Sequence, residues 1–410
     1  MEQTDILIER ARSLVNLRRL EQAISELKKI LAFDPENIDA ILLITGCYLD
    51  LNENTKAIAY ADELLRIIPD FSVACYYKAI CLDRLKKSEE SEKFIIQAIQ
   101  IDPYDADYFG FLSGLYIDRH KWDVGLKYAD QGLQIDPENR VCLNHRTLCL
   151  TKLNRKSELI SSIENTLQAN PYDSYTHSNV GWAKLENGNH KEAKEHFAEA
   201  LRINPNSENA RLGMVEAIKA KNFIYKLFLD YSFWISKQQG RVQWLFIIGF
   251  FFLTRLIGGL AKEYPILNPI IIFIVFVLYL SWIINPLSNS VLFLDKLGRY
   301  ALKKDEKIAA LIVSTGLFIG IILVALTFLS GEIYLTFAIF VLTIIIPLSK
   351  YFELPDYKRS NLVKIYTIAL ALVGLGEAFY SIGRTEETVG IYLFGFIGYQ
   401  WLYNYVVSKK

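Results

Sequence analysis

The side chains best suited to metal binding and nucleophilic catalysis, histidine and cysteine, all lie in the first half of this 410-residue chain. They are five histidines (His120, His145, His177, His190, His196) and five cysteines (Cys47, Cys75, Cys81, Cys142, Cys149). No Cys-x-x-Cys pair, Gly-Lys-Ser/Thr loop, Gly-x-Ser-x-Gly or His-Glu-x-x-His motif occurs. We therefore expect no enzyme activity, no cofactor and no metal site, and we expect the cysteines to be buried free thiols.

Two charged side chains lie inside otherwise apolar stretches of the second half. Arg255 stands in FFFLTRLIGGL and Glu377 in ALVGLGEAFYSIG. Burying either charge alone in hydrocarbon is costly. Three interpretations stay open: an ion pair that fixes helix register, two side chains that extend separately to the interface, and a substrate or proton site.

A proline recurs at a fixed spacing of 34 residues through the first half of the chain. The six positions are Pro35, Pro69, Pro103, Pro137, Pro171 and Pro205. Between successive prolines the apolar residues follow a helical period on both sides of a short turn, such as ENGNH at 186–190. The pattern predicts a solenoid of helix pairs.

The unit at 174–205 resembles a tetratricopeptide repeat, on the spacing of Val180, Gly181, Ala193, Phe197, Ala200 and Pro205. The other five units match less well but keep the same register. Gly132 replaces the usual alanine in repeat four, and Arg146 and Thr166 occupy normally apolar positions in repeat five. The resemblance implies an all-α solenoid of six repeats. The segment SENARLGMVEAIKAK predicts an extra helix that covers the last repeat, so that this domain spans 4–221.

The resemblance also implies that the inner groove of the solenoid binds a protein segment. The groove positions of the family project onto Tyr76, Ile80, Asp107, Asn144, Leu148, Tyr175, Ser178 and Trp182. Some members of the family hold a peptide C-terminus with Lys, Asn and Arg side chains. Only Asn144 falls on such a position here, which leaves a carboxylate clamp unsupported.

The second half, 242–410, contains six mainly apolar stretches of roughly 16–22 residues, close to the length that crosses a bilayer as a helix. They are Trp244–Leu260, Ile266–Ile284, Ile308–Leu329, Ile333–Leu348, Ile365–Ile382 and Val389–Val407. Aromatic residues cluster at their ends, as at membrane interfaces. We therefore predict a helical membrane domain of about six crossings.

Basic residues concentrate in alternate links between these stretches. The links after the second and fourth stretches hold Lys296, Arg299, Lys303, Lys304 and Lys307, and Lys350, Lys358, Arg359 and Lys364. The positive-inside rule places both termini and these links in the cytoplasm. A bacterial inner membrane fits this topology, since MEQTDILIERARS lacks the apolar core of a secretory signal.

The segment 222–241 joins the two domains and combines charged residues with many aromatics. On a helix, Lys226, Asp230 and Lys237 share one face. This arrangement predicts an amphipathic helix in the plane of the cytoplasmic membrane interface. A further solenoid cap that packs on the last repeat is the alternative.

The net charge is zero, with 45 basic and 45 acidic residues, so we expect no nucleic-acid partner. The expected function is a membrane-anchored scaffold or adaptor that binds a protein partner in the repeat groove and holds it at the lipid bilayer. The alternative is a small transporter or lipid-handling bundle that the repeats regulate. Neither the partner nor an oligomeric state follows from these residues.

Overall fold

The computed structural model describes residues 2–237, 256–257, 259–260, 264, 266, 268–294, 302–330, 333–354, 361–380 and 390–408. This part of the chain is helical and contains no β-strand, which confirms the all-α fold class. The helices of the first half are α1 (Glu2–Asn16), α2 (Leu20–Phe33), α3 (Ile38–Asp50), α4 (Asn54–Ile67), α5 (Ser72–Arg84), α6 (Ser88–Ile101), α7 (Ala106–Asp118), α8 (Trp122–Ile135), α9 (Arg140–Lys152), α10 (Lys156–Ala169), α11 (Ser174–Glu186), α12 (His190–Ile203), α13 (Glu208–Lys219) and α14 (Phe223–Ser236). Those of the second half are α15 (Asn268–Leu294), α16 (Lys304–Ser330), α17 (Ile333–Glu353), α18 (Asn361–Tyr380) and α19 (Gly390–Ser408).

The chain divides into two compact units. The first consists of Met1–Asn187 with two short later segments, Arg202–Pro205 and Lys237–Gln239. The second consists of Gly188–Leu201, Asn206–Ser236 and Gly240–Lys410. The domain boundaries near 221 and 241 stay predictions.

One residue in the turn between the two helices of each repeat has a left-handed backbone conformation. The φ angles are 58° at Arg18, 59° at Asn52, 64° at Lys86, 55° at His120, 56° at Asn154 and 83° at Gly188. These positions are 34 residues apart, like the prolines. Only the last repeat has glycine at this position. In the other five repeats the residue carries a Cβ atom, which makes the left-handed conformation sterically unfavourable.

The first helix of most repeats begins at a side-chain cap, two residues after the repeat proline. Asn37, Asn139, Asp173 and Ser207 each accept a hydrogen bond from the backbone N–H three residues later, and Asp105 accepts one from two residues later. Phe71 stands at the equivalent position of repeat three and makes no such bond. Capping and the left-handed turn together set where each helix starts and stops.

Small residues fill the closest contacts inside the solenoid. Ala57, Ala61, Ala98 and Ala129 have no exposed surface. All five cysteines are free and buried, which confirms that prediction. Burial raises the pKa of the Cys142 and Cys149 thiols to about 12.

The second unit contains the closely packed apolar helices. On α16, a side chain at Gly316 or Gly320 would overlap Ile345 or Leu342 of α17, so these glycines allow the two backbones to approach. Ser290 on α15 donates to the Ala310 carbonyl on α16 at 2.9 Å. The small-residue spacing in the third apolar stretch is therefore explained by helix packing.

Three helices of the described second half are long and apolar enough to cross a membrane. They are Lys304–Leu329, Tyr334–Glu353 and Asn361–Tyr380, and they coincide with the third, fourth and fifth predicted stretches. The second and sixth predicted stretches fall in α15 and α19. Most of the first stretch, Trp244–Leu260, lies outside the described residues.

The predicted extra helix is present as α13, and it packs on the last repeat. Its Gly213 lies against the buried ring of Phe197, where a side chain would overlap that ring. Within the same unit, α13 is paired with the first turn of α16. Arg211 bonds Glu306 at 3.0 Å, and Lys303, just before that helix, bonds Glu208 at 2.7 Å.

Apolar contact accompanies these ion pairs, since Val215 of α13 is buried in a cluster with Leu292 and Leu302. The hydrogen bond from Arg211 lowers the pKa of Glu208 to about 2. The α13 helix is thus fixed to the start of α16 by both charge and apolar packing.

We expect Lys86→Gly to raise the free energy of unfolding by about 0.5–1 kcal/mol. Relief of roughly 1–2 kcal/mol of left-handed strain exceeds the entropic cost of glycine. Chemical denaturation of the detergent-solubilised chain, followed by circular dichroism, measures the change. The control is Lys93→Gly on the exposed side of α6, which should lower stability by about 1 kcal/mol. Destabilisation by both substitutions would contradict the strain at position 86.

Candidate protein-binding site

The first helices of successive repeats lie against one another along the solenoid. Helix α1 contacts α3, α3 contacts α5, α7 contacts α9, and α9 contacts α11. Each first helix also packs on the second helix of its own repeat, as α5 does on α6 and α7 on α8. Because the first helices are the more closely spaced layer, their free side is the inner side of the stack.

An aromatic cluster on this inner side is centred on Tyr76. Its ring lies 5.0 Å from Tyr108, 5.8 Å from Phe111 in an edge-on arrangement, and 6.1 Å from Tyr77. Tyr76, Tyr77 and Phe111 are half-buried, whereas Tyr108 is buried and its hydroxyl lies 3.2 Å from Ser72 Oγ. Aromatic clusters of this kind supply contact area at low entropic cost.

Predicted groove residues elsewhere on the first helices have mixed surroundings. Ile80, Leu148 and Trp182 are half-buried, and Tyr175 is exposed. Asp107 is also exposed and accepts a hydrogen bond from Asn139 at 2.8 Å. These side chains, with Tyr76, are accessible in part for contact with another molecule.

Two of the predicted groove residues, Asn144 and Ser178, are buried between helices. Asn144 donates to Thr176 Oγ1 at 3.0 Å and accepts from Asn179 at 2.9 Å, so its amide joins α9 to α11. The prediction that Asn144 faces the groove was wrong. Its amide nitrogen and oxygen both form hydrogen bonds inside the stack. Ser178 likewise offers no surface to a ligand.

The projection missed Tyr77 and His145, which directly follow two of the positions that it used, and Phe111, which lies one helical turn after Asp107. His145 stands beside Gly114, and its Nδ1 lies 3.1 Å from the Gly110 carbonyl. Burial lowers the pKa of His145, so its ring is held in the neutral form near neutral pH. Including the next residue would have found Tyr77 and His145, and a step of four residues from Asp107 would have found Phe111.

The unusual polar residues of repeat five are explained by a buried hydrogen-bonded seam. Thr147 Oγ1 lies 2.9 Å from Ser162 Oγ and 3.1 Å from Thr166 Oγ1, which joins α9 to α10. Arg146, also at a normally apolar position, bonds Asp130 of the preceding repeat at 2.8 Å. Directional bonds therefore replace apolar packing here.

Acidic side chains lie close to the aromatic cluster. Burial and the neighbouring Asp107 and Asp102 carboxylates raise the pKa of Asp105, although backbone hydrogen bonds oppose this change. None of the eight predicted groove residues is basic. These eight positions offer apolar and aromatic contacts, and none of them supplies the cation that a free carboxylate would need.

The structure describes only one member of the predicted intramembrane ion pair, Glu377. Both carboxylate oxygens of Glu377 lie 3.3 Å from the backbone N–H of Tyr392, in the first turn of α19. A carboxylate at a helix N-terminus is favoured by the unpaired amides there. Arg255 lies outside the described residues, so the ion pair stays a prediction.

No group of three or more His, Cys, Asp or Glu side chains that could hold a metal ion occurs in the part of the chain that the structure describes. The half-buried His145 and the buried His177 each lie beside a backbone carbonyl, as packing residues do. The geometry thus offers a surface for contact with a polypeptide.

We expect Asn144→Ala to lower the free energy of unfolding by about 1–3 kcal/mol, because Asn179 and Thr176 lose buried hydrogen-bond partners. Tyr175→Ala, at an exposed position of the next repeat, should change it by less than about 0.5 kcal/mol. Denaturant midpoints of the two variants measure this difference. Equal midpoints would contradict a structural role for Asn144.

Sequence comparison finds known repeats in both ends of the solenoid. Models described as "Tetratricopeptide repeat" match residues 14–72 and 174–207. Superkiller protein 3 of Schizosaccharomyces pombe is 23% identical over 205 residues, which cover 46% of this chain and 15% of that protein. The peroxisomal targeting signal receptor of Candida albicans is 24% identical over 186 residues, or 43% of this chain and 31% of the receptor.

Solved structures also resemble the chain. The APC/C hetero-tetramer Cut9–Hcn1 aligns with a TM-score of 0.47 at 14% identity, covering 52% of this chain and 42% of that one. Pseudomonas aeruginosa pilF aligns with a TM-score of 0.46 at 17% identity, covering 54% and 98%. The chain spans less than a third of the length of either curated relative. The matched repeat models and the helix pairs in one register make the N-terminal half of this chain a tetratricopeptide-repeat solenoid.

Proposed function

We propose that this chain is a membrane-anchored scaffold, which binds a segment of a partner protein along the inner side of its solenoid and holds that partner at the bilayer. The observation that carries the proposal is the aromatic cluster of Tyr76, Tyr77 and Phe111, half-buried on adjacent first helices. Half-exposed aromatic side chains are the usual anchors of protein interfaces.

The partner segment is bound by apolar and aromatic contacts. Support comes from the side chains accessible in part, Tyr76, Ile80, Leu148 and Tyr175, none of which is basic. A C-terminal carboxylate would find no cation among them. An internal, extended or helical segment with apolar anchors fits this surface better. By its name, the Candida albicans relative is a receptor for a targeting signal, which agrees with recognition of a short segment.

Membrane anchoring is supported by the apolar helices of the second unit. In the three candidate spans only 28%, 33% and 28% of the apolar window is buried within the chain. Large side chains such as Phe318, Ile321, Phe328 and Leu372 are exposed on them. Such surfaces are unfavourable in water and favourable in lipid.

In this proposal the solenoid, both termini and the basic links face the cytoplasm, and the bilayer is a bacterial inner membrane. The support is the concentration of Lys and Arg in alternate links. Tethering raises the effective concentration of a bound partner near other membrane proteins. The proposed role therefore requires no catalysis.

Site-specific photocrosslinking in cells tests partner binding. A photoreactive amino acid at Leu148, on the inner side, should give one discrete crosslinked product. The same group at Lys93, on the exposed side of α6, should give none. Tyr175→Ala should weaken binding about thirtyfold and reduce the Leu148 product accordingly, since an aromatic hot-spot residue contributes roughly 2 kcal/mol. Equal products from both positions, or none from Leu148, would overturn the binding proposal.

Alkaline carbonate extraction tests the anchoring separately. A chain that spans the bilayer stays in the membrane pellet, whereas a peripheral protein is released. We expect the full chain in the pellet, together with a known inner-membrane protein as control. Release into the supernatant would show that the apolar helices are covered by protein and not by lipid.

A further inference from the structure

Helix α14 has one buried and one exposed face. Tyr225 and Leu229 are buried, whereas a row of large side chains is exposed: Phe223 at 73%, Leu227 at 55%, Tyr231 at 56% and Trp234 at 44%. The exposed residues follow at intervals of four, four and three, so they form one stripe along the helix. Exposed apolar stripes of this length are typical of surfaces that contact lipid or another protein.

The buried face fixes α14 to its neighbours within the second unit. The hydroxyl of Tyr225 donates to Glu216 of α13 and lies 3.2 Å from Asn285 Oδ1 of α15. Asn285 comes directly after Ile284, where the long apolar run of α15 ends. The contact therefore places α14 beside the boundary between apolar and polar residues on α15.

The apolar run of the neighbouring helix α16 gives a second estimate of how deep Asn285 lies in the apolar zone. Ser290 of α15 bonds Ala310 of α16 at 2.9 Å, and the two helices are antiparallel, so Asn285 stands level with about residue 315. The apolar run of α16 begins at Ile308. Seven residues at about 1.5 Å each put Asn285 roughly 10 Å inside that run.

The α15 run places Asn285 at the edge of the apolar zone, and the α16 run places it roughly 10 Å inside that zone. This range includes the depth of about 5–10 Å to which the apolar face of an interfacial helix enters the headgroup and acyl boundary. Tyrosine and tryptophan are also the residues that favour this layer. Lys226 and Asp230 lie along one edge of the stripe, which leaves a polar edge for the aqueous side.

We propose that the stripe of Phe223, Leu227, Tyr231 and Trp234 is a lipid-contacting surface, embedded in the interface of the cytoplasmic leaflet. The inference rests on the proposed membrane anchoring and adds a second contact with the bilayer. Since α14 contains one basic and one acidic residue, its insertion depends on apolar contact. Anionic lipid and salt should therefore have little influence.

The surface also determines how the solenoid cap meets the membrane. Through Tyr225 and Glu216, α14 is joined to α13, and α13 is joined to the first turn of α16 by Arg211 and Glu306. Lipid contact on the outer face of α14 thus fixes α13 at the membrane surface from two sides.

Spin-label accessibility in the full chain tests the inference. Single cysteines replace Leu227 on the stripe, Asp230 at its polar edge, Ile321 on an exposed face of α16 and Gln100 on the solenoid. The native cysteines are buried, and unsubstituted protein gives their background labelling. The chain is placed in phosphatidylcholine nanodiscs, and collision of each label with oxygen and with a nickel chelate is measured.

We expect the label at Leu227 to be accessible to oxygen and several-fold less accessible to nickel than the label at Gln100, with Asp230 in between. Replacing part of the lipid by phosphatidylglycerol should leave these values unchanged. Because Leu227 is exposed, the substitution removes no core packing, and Tyr231→Cys gives an independent second reading.

The reference label at Ile321 separates this inference from the proposed anchoring. A nickel-accessible label at Leu227 beside a lipid-protected label at Ile321 would overturn the lipid surface and leave the anchoring intact. Nickel access at both sites would contradict the anchoring itself. Protection of Leu227 from both reagents, with dipolar broadening between labels, would show that a second copy of the chain covers the stripe.

Discussion

The solenoid depends on a repeat length that never varies. A helix pair can stack on the next only if the same positions meet each time, and an added or lost residue would rotate a helix by about 100°. Two backbone features keep this length: the left-handed residue between the helices, seen at Arg18 and at each 34th residue after it, and the side-chain cap that starts the next pair. Apolar packing then adds stability to a register that is already defined.

Much of this architecture could be predicted from the sequence, because the solenoid is a local structure. The proline period and the alternation of small and large residues gave the helix pairs, the number of repeats and the final helix. The left-handed positions could not be read in this way, since Arg18, Lys86 and His120 carry no signal for such a conformation. Only Gly188 has the residue type that favours it.

The candidate site was predicted less well, for a physical reason. A projection treats each helix position as equivalent in every repeat. In this chain Asn144 is buried where hydrogen bonds to Thr176 and Asn179 replace apolar packing, and Ser178 is buried between helices. Hydrogen bonds between Thr147, Ser162 and Thr166 join residues from two helices. Such pairs emerge from three-dimensional packing, which a single sequence does not reveal. Tyr76, in contrast, is half-buried at its projected position, whereas its ring neighbours Tyr77 and Phe111 were not projected.

Under the proposed anchoring, the bundle faces lipid and the solenoid faces water, and α13 and α14 lie where these two environments would meet. On α13, Glu208 and Arg211 satisfy charges at the start of α16. On α14, the buried Tyr225 combines a large apolar ring with one hydroxyl that finds polar partners. Residues with both characters are suited to a boundary between water and hydrocarbon. This mixed character explains why the sequence of α14 resembles neither a repeat helix nor a membrane-spanning helix.

The five enclosed thiols have a consequence for the chemistry that the solenoid can undergo. Oxidants attack the thiolate, and a group that ionises only near pH 12 and has no exposed surface presents almost none of it. Sulfenic acids and mixed disulfides should therefore form slowly at Cys142 and Cys149. The repeats would keep their shape through a change of cellular redox state that inactivates proteins with accessible cysteines.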